Sequence, residues 1–378
     1  MKNLKEIAAL FFKLGVIGFG GPAAHIAMMQ EEVVDKRGWM SREHFLDLVG
    51  ATNLIPGPNS TEMAIHTGYH RGGLPGLVIA GLCFILPAVL STGLLAWVYV
   101  TWGTLPALEP FFYGIKPAVI AVILSAVWKL GQKAVKGPLL IGLGILVMVV
   151  NLGTGLNEVL LILGGGLLGM VVKQLLQGGG DLKKQWGWWI LPGVLSGAGK
   201  GVAAISLNGI FLTFLKIGAV LFGSGYVLIA FLEGELVHNL GWLSETQLLD
   251  AVAIGQFTPG PVLSTATFIG YLIAGWPGAT LATLGIFLPS FVFVLLLNPL
   301  VPRLRKSPWT AAFLDAVNVS ALGLMAAVTV KLGFGVLGDW RAALIALLAA
   351  GVVFSGKKIN PAWIIVGGAL LGYLLTLL

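Results

Sequence analysis

Two short runs carry most of the chemistry available to this sequence. Pro56-Gly57-Pro58 leads into Asn59, Ser60, Thr61 and Glu62, and Pro259-Gly260-Pro261 leads into Val262, Leu263, Ser264 and Thr265. Each run interrupts an apolar stretch. Proline lacks a backbone N–H and its φ suits the first position of a helix, so the pattern predicts a half-helix ending before each break and another starting at Pro58 or Pro261. A helix start presents N–H groups without intrahelical acceptors, together with the positive end of the helix dipole, and both favour an anion. Asn59, Ser60, Thr61, Ser264 and Thr265 can add side-chain donors. Gly20 and Gly21, and Gly223, Ser224 and Gly225, form two further breaks at which backbone can approach a bound group closely.

Ionisable residues within apolar segments are costly and mark functional positions. Lys13 and Lys216 occupy equivalent places, as do Lys129 and Lys331, which can equally snorkel at helix ends. Lys116 corresponds to Asn318, so that position is asymmetric. Lys13 and Lys116 are candidate anion-binding residues. Glu62 and His66 stand one helical turn apart on one face. A buried Glu62 is the candidate for carrying a proton, and Thr265 takes its place in the second run. Asp47 and Asp250 read better as caps or ion-pair partners.

The elements that hold these residues follow from composition. Of 378 residues 57% are hydrophobic and only 10% charged, against about 25% charged in a soluble domain. Apolar runs such as Leu74–Val100 and Leu281–Val301 approach the roughly 20 residues that cross a bilayer. The net charge of +7 does not indicate nucleic acid, because Lys and Arg are scattered through short inter-helix loops. The lone Cys83 forms no intrachain disulfide. The N-terminal stretch is read as part of the fold rather than as a leader, since it reappears mid-chain at Phe211–Phe222. No phosphate loop, metal-spaced His/Cys cluster or nucleophile elbow is present, so no enzyme, cofactor or metal is expected.

The chain also repeats itself. Gly38-Trp39-Met40-Ser41 returns as Gly241-Trp242-Leu243-Ser244 and Pro56-Gly57-Pro58 as Pro259-Gly260-Pro261, 203 positions on; Pro87 returns as Pro289, 202 positions on. Two related hydrophobic halves, broken by Gly and Pro at corresponding places, are the pattern of a secondary transporter. The division is residues 1–176, a linker at 177–208 and residues 209–378. Each half reads as six elements, the first two broken.

Basic residues sit on both sides of the first two elements of half one (Lys2, Lys5, Lys36, Arg37, Arg42, Arg71). The corresponding loop of half two carries Glu233, Glu235 and Glu245 instead. Loop Lys and Arg set orientation. The expected fold is therefore an all-α polytopic membrane protein of two inverted-topology repeats, with Gly/Pro-broken re-entrant helices and a cytoplasmic N-terminus. The linker then has to cross once, giving about nine crossings and four re-entrant hairpins.

Phe19-Gly20-Gly21-Pro22, the stretch Leu54–Met63 and Gly255-Gln256-Phe257-Thr258-Pro259-Gly260-Pro261 resemble the long-chain chromate ion transporter family, over nearly the whole chain and both repeats. The resemblance implies a bacterial-type inner-membrane protein that exports chromate, often conferring chromate resistance, with sulfate as a competing tetrahedral dianion and with drive from membrane potential or a proton gradient. It adds Gln256 to the candidate substrate-binding residues. The partners it brings are chromate, sulfate and the lipid bilayer, with a second copy of the chain as a further candidate.

Overall fold

The computed structural model describes residues 2–19, 21–52, 55–103, 105, 108–176, 205–222, 225–297, 307–356 and 359–377. Every regular element among them is helical. The linker segment 177–204, with its expected crossing, lies outside the described residues, as do Gly20, Gly223 and Ser224.

In the first repeat, α1 (Lys2–Ile17) and α2 (Pro22–Gln30, extended by a π turn over Glu31–Lys36) form a hairpin. Lys13 bonds Glu32 at 3.0 Å, and the Trp39 indole reaches Glu6 at 3.3 Å. A second hairpin follows, from α3 (Arg42–Thr52) into α4 (Asn59–Trp102). The sequence suggests separate elements before and after residue 72. The structure agrees: Gly73, with φ of 60° and ψ of −150°, is non-helical and divides α4 into two helical legs that fold back on each other. Gly68 packs against Gly76 and Ala80 across this bend; a straight helix would hold Gly68 and Gly76 about 12 Å apart. Pro75 has no N–H to lose and suits the start of the second leg. Then come α5 (Glu109–Ala134), α6 (Pro138–Thr154) and α7 (Glu158–Leu176).

The second repeat runs the same course: α8 (Leu207–Val220), α9 (Leu228–Leu232, with a π turn over Glu233–Asn239), α10 (Glu245–Phe257) and α11 (Thr265–Leu297), then α12 (Pro308–Val336), α13 (Trp340–Phe354) and α14 (Pro361–Thr376). Gly275 bends α11 as Gly73 bends α4, and Gly270 packs on Gly278. Helix starts are marked by proline at the first turn of α2, α6, α12 and α14, by a Ser244–Gln247 capping box on α10, and by Asp339 on α13, devices that satisfy leading N–H groups or remove one.

The halves are exchanged at their far ends. α5 packs against α13 and α14 of the other repeat, and its counterpart α12 packs against α6 and α7. The contacts match residue by residue. Gly114 abuts Gly372 and Ala118 abuts Gly368; Ala316 abuts Gly169 and Ser320 abuts Gly165. Such reciprocity is the mark of a twofold relation. Gly131 meets Leu322 while Gly333 meets Ile120, so the counterparts α5 and α12 run antiparallel. The outer faces carry exposed Leu82, Leu86, Leu90 and Leu94 on α4, and Leu284, Leu288, Val292 and Leu295 on α11. Apolar surface this extensive belongs in lipid, and the chain is a polytopic membrane protein. Among the described residues five helical segments are long and apolar enough to cross a bilayer.

Glu32 gathers Lys13, Arg37 and Lys36, and the Lys13 ammonium, aided by the other two, holds its carboxyl at about 2 rather than 4.5. A carboxyl depressed on folding contributes stability above its ordinary value, and that contribution is lost as pH falls through the folded value. Glu32→Gln should therefore flatten the acid loss of thermal stability between pH 4.5 and about 2, read as melting temperature against pH in detergent. A Cβ on Gly114 would lie 2.6 Å from the Gly372 Cα. Gly114→Ala should cost about 2 kcal/mol through overpacking. Gly142→Ala, with nothing within 4 Å, should leave the melting temperature unchanged or raised.

Candidate functional site

The Pro-Gly-Pro breaks need partners for their backbone, and each finds one in the opposite repeat. The Gly57 N–H donates to the Leu221 carbonyl at 2.7 Å, and the Gly260 N–H donates to the Gly18 carbonyl at 2.7 Å. Gly18 and Leu221 are themselves equivalent, each ending the first helix of its repeat. Each Pro-Gly-Pro break is therefore tied to the end of the opposite repeat's first helix. Gly57 (φ 140°) and Gly260 (φ 88°) adopt backbone that disfavours a side chain. There is also no room for one. A Cβ on Gly57 would overlap the Glu62 carboxylate and lie 2.7 Å from Ser290 Oγ, while one on Gly260 would lie 3.0 Å from the Ala88 Cβ.

The prolines take a different position from the one the sequence suggests. Pro58 and Pro261 are extended N-caps (ψ 103° and 130°), not the first helical residues. Their carbonyls thereby become the first acceptors: Thr61 and Glu62 N–H bond to the Pro58 carbonyl, and Ser264 N–H to that of Pro261. Neither start has a side-chain cap. Pro56 and Pro259 precede the glycines, and the second start is a single 3-10 turn over Val262–Ser264 that leads into α11.

The two starts differ in their side chains. In the second repeat the hydroxyls are partnered. Ser264 accepts from Thr92 at 3.1 Å and lies 3.5 Å from Thr258, and Thr265 donates to the Val262 carbonyl at 2.8 Å. In the first repeat Ser60, Thr61, Glu62, His66 and Thr67 are all buried. Thr61 Oγ1, both Glu62 oxygens, His66 Nε2, Thr67 Oγ1 and Ser290 Oγ have no hydrogen-bond partner among the described residues. Buried polar atoms are normally satisfied, and such a concentration of exceptions marks a place built for something other than stability. Asn59 sits at the head of this group.

Other candidates lie around or away from it. Gly21 (φ 80°) faces the Tyr226 hydroxyl, Gly225 packs near Val262 and Leu263, and Gln256 is buried in the last turn of α10. Lys13 is held by Glu32, and its counterpart Lys216 by Glu235 at 2.9 Å. Lys116 exerts its charge on Asp250, whose carboxylate accepts from the Tyr99 hydroxyl at 2.8 Å. The structure thus places neither Lys13 nor Lys116 at the crossed breaks. Sequence reasoning missed His25, whose Nε2 lies 2.9 Å from the Gly18 carbonyl, and the hydroxyls of Thr92 and Ser290 within apolar helices. It also missed Glu32 and Glu235 as partners of the two lysines, although the 203-residue offset links them.

The family described as chromate transporter matches the chain twice, over residues 5–170 and 209–373. A probable chromate transport protein of Synechococcus elongatus is 35% identical over 98% of this chain and 95% of its own length. Chromate transport proteins of Cupriavidus metallidurans and Pseudomonas aeruginosa are 32% and 31% identical, each over 98% of this chain and 92% of its own length. No solved structure matches the chain. With both repeats matched and relatives similar from end to end, the chain belongs to the chromate transporter family, whose members are membrane transporters rather than enzymes.

Proposed function

We propose that the protein is a secondary transporter that moves chromate out of the cytoplasm, with the dianion bound at the Pro-Gly-Pro breaks. The observation that carries this is that each helix start is tied to the end of the opposite repeat's first helix, Gly57 to Leu221 and Gly260 to Gly18. In this reading the two positive dipole ends and the buried hydroxyls of Ser60, Thr61, Ser264 and Thr265 serve one compact tetrahedral oxyanion. Gly21, Gly225 and Gln256 complete the proposed lining. Chromate transport is what the names of the relatives support.

Opposed insertion of the two repeats is part of the proposal. It is supported by the antiparallel run of α5 and α12 and by the folded-back hairpins, whose mouths carry unlike charge. Lys36, Arg37, Arg42 and Arg71 surround one mouth, each ion-paired with Glu31, Glu32, Asp35 or Glu6; Glu233 and Glu235, with Glu158 against Gly234, mark the other. With the N-terminus cytoplasmic in an inner membrane, the mouth rich in Lys and Arg faces the cytoplasm, and the acidic mouth on the far side discourages the return of an anion. Leaving a negative cytoplasm releases about 2.3 kcal/mol per charge per 100 mV. Glu62 supplies a proton-coupling group, present in one repeat only.

Inside-out vesicles containing the protein should take up chromate saturably, with inhibition by sulfate, and uptake should fall when the potential or the pH gradient is collapsed. Absence of chromate uptake under every gradient would overturn the assignment. Glu62→Gln should retain chromate binding and lose the pH dependence of transport; unchanged pH dependence would remove Glu62 from the coupling role.

A further inference from the structure

Glu62 is not isolated along its helix. His66 lies one turn away and His70 one turn further on the same face of α4, and the His70 ring packs against that of His44 on α3, with centroids 4.8 Å apart. The side chains grade from fully buried Glu62 (0% exposed) through His66 (2%) to exposed His70 and His44. The run covers about 12 Å of helix. Successive members at this spacing stand about 5–6 Å apart at Cβ, near enough for one water to relay a proton between their polar ends. His66 Nε2 and both Glu62 oxygens have no partner among the described residues, so no fixed hydrogen bond holds these atoms away from such an exchange.

The other groups facing this run are few. From α1, Glu6 is engaged by Arg71 of α4 at 3.4 Å. α3 carries Glu43 and Asp47 beside His44. The Trp39 backbone bonds His70, and Arg71 acts on its charge. α11 offers Ser290, and on α2 His25 is turned to the Gly18 carbonyl.

We propose that Glu62, His66, His70 and His44 form a proton route from the crossed breaks to the basic mouth of the first repeat. For each proton released, the Glu62 carboxylic acid gives it to neutral His66, the resulting imidazolium gives one to neutral His70, and His70 gives one to bulk water, either directly or through His44, which then releases it. Glu62 ends as a carboxylate, the imidazoles return to neutral, and one proton has reached the surface. Uptake reverses each step. The route rests on the coupling role proposed for Glu62, but its test uses no substrate, so it fails separately from the chromate assignment.

Infrared spectra of the reconstituted protein should show a carboxylic-acid band that Glu62→Gln removes, and its shift on transfer into D2O times proton access to Glu62. His66→Gln and His70→Gln should slow that shift at least about tenfold, the low end of what a positioned proton donor contributes, while His238→Gln in the other repeat leaves it unchanged. Because His66 is buried and its variant can misfold, the rim double variant His44→Gln/His70→Gln supplies an independent reading with the same expected slowing. Equal rates in wild type and the rim double variant, or the absence of any band removed by Glu62→Gln, would overturn the route.

Discussion

Backbone polar groups in the middle of a membrane protein must be satisfied by the protein itself, because lipid offers no hydrogen bonds. The rest of this structure depends on how that constraint is met at Gly57 and Gly260. Each break stops a helix and leaves an N–H to be bonded, and each N–H is bonded by the carbonyl that ends the first helix of the opposite repeat. Neither repeat can complete its own centre. The same two glycines lie so close to Ser290 and Ala88 that α4 and α11 must cross there. The exchanged packing of α5 and α12 then locks the far ends.

This arrangement separates two roles that the sequence tends to merge. The charged pairs Lys13–Glu32 and Lys216–Glu235 tie the first hairpin of each repeat to itself. The uncharged backbone and hydroxyls of the breaks make the centre. In the proposed role, dipole ends and hydroxyls without a buried lysine would let an oxyanion be both bound and released, as transport requires.

Much of this was legible in the sequence. Gly and Pro cannot hide, because each imposes a local backbone consequence whatever surrounds it, so the breaks and the repeat offset could be read directly, while the bends at Gly73 and Gly275 were passed over. The helix register of Glu62 and His66 was likewise local. Partnerships across long distances were not legible. Nothing near Lys13 announces Glu32, nineteen residues on, and nothing near Gly114 announces Gly372. The prolines were placed one position off because an extended N-cap and a first helical residue require nearly the same φ and differ only in ψ.

The single Glu62 has a consequence for ancestry and assembly. Two identical repeats related by a twofold axis, as in a homodimer of half-length chains, would place an acid at both helix starts or at neither. Two enclosed carboxylates flanking one dianion would repel it and each other. Joining the halves in one polypeptide lets position 62 be Glu while position 265 is Thr. Joining non-identical halves in one polypeptide is thus one way to keep Glu62 and His66 in one repeat, with Thr265 and Ile269 at the equivalent positions of the other.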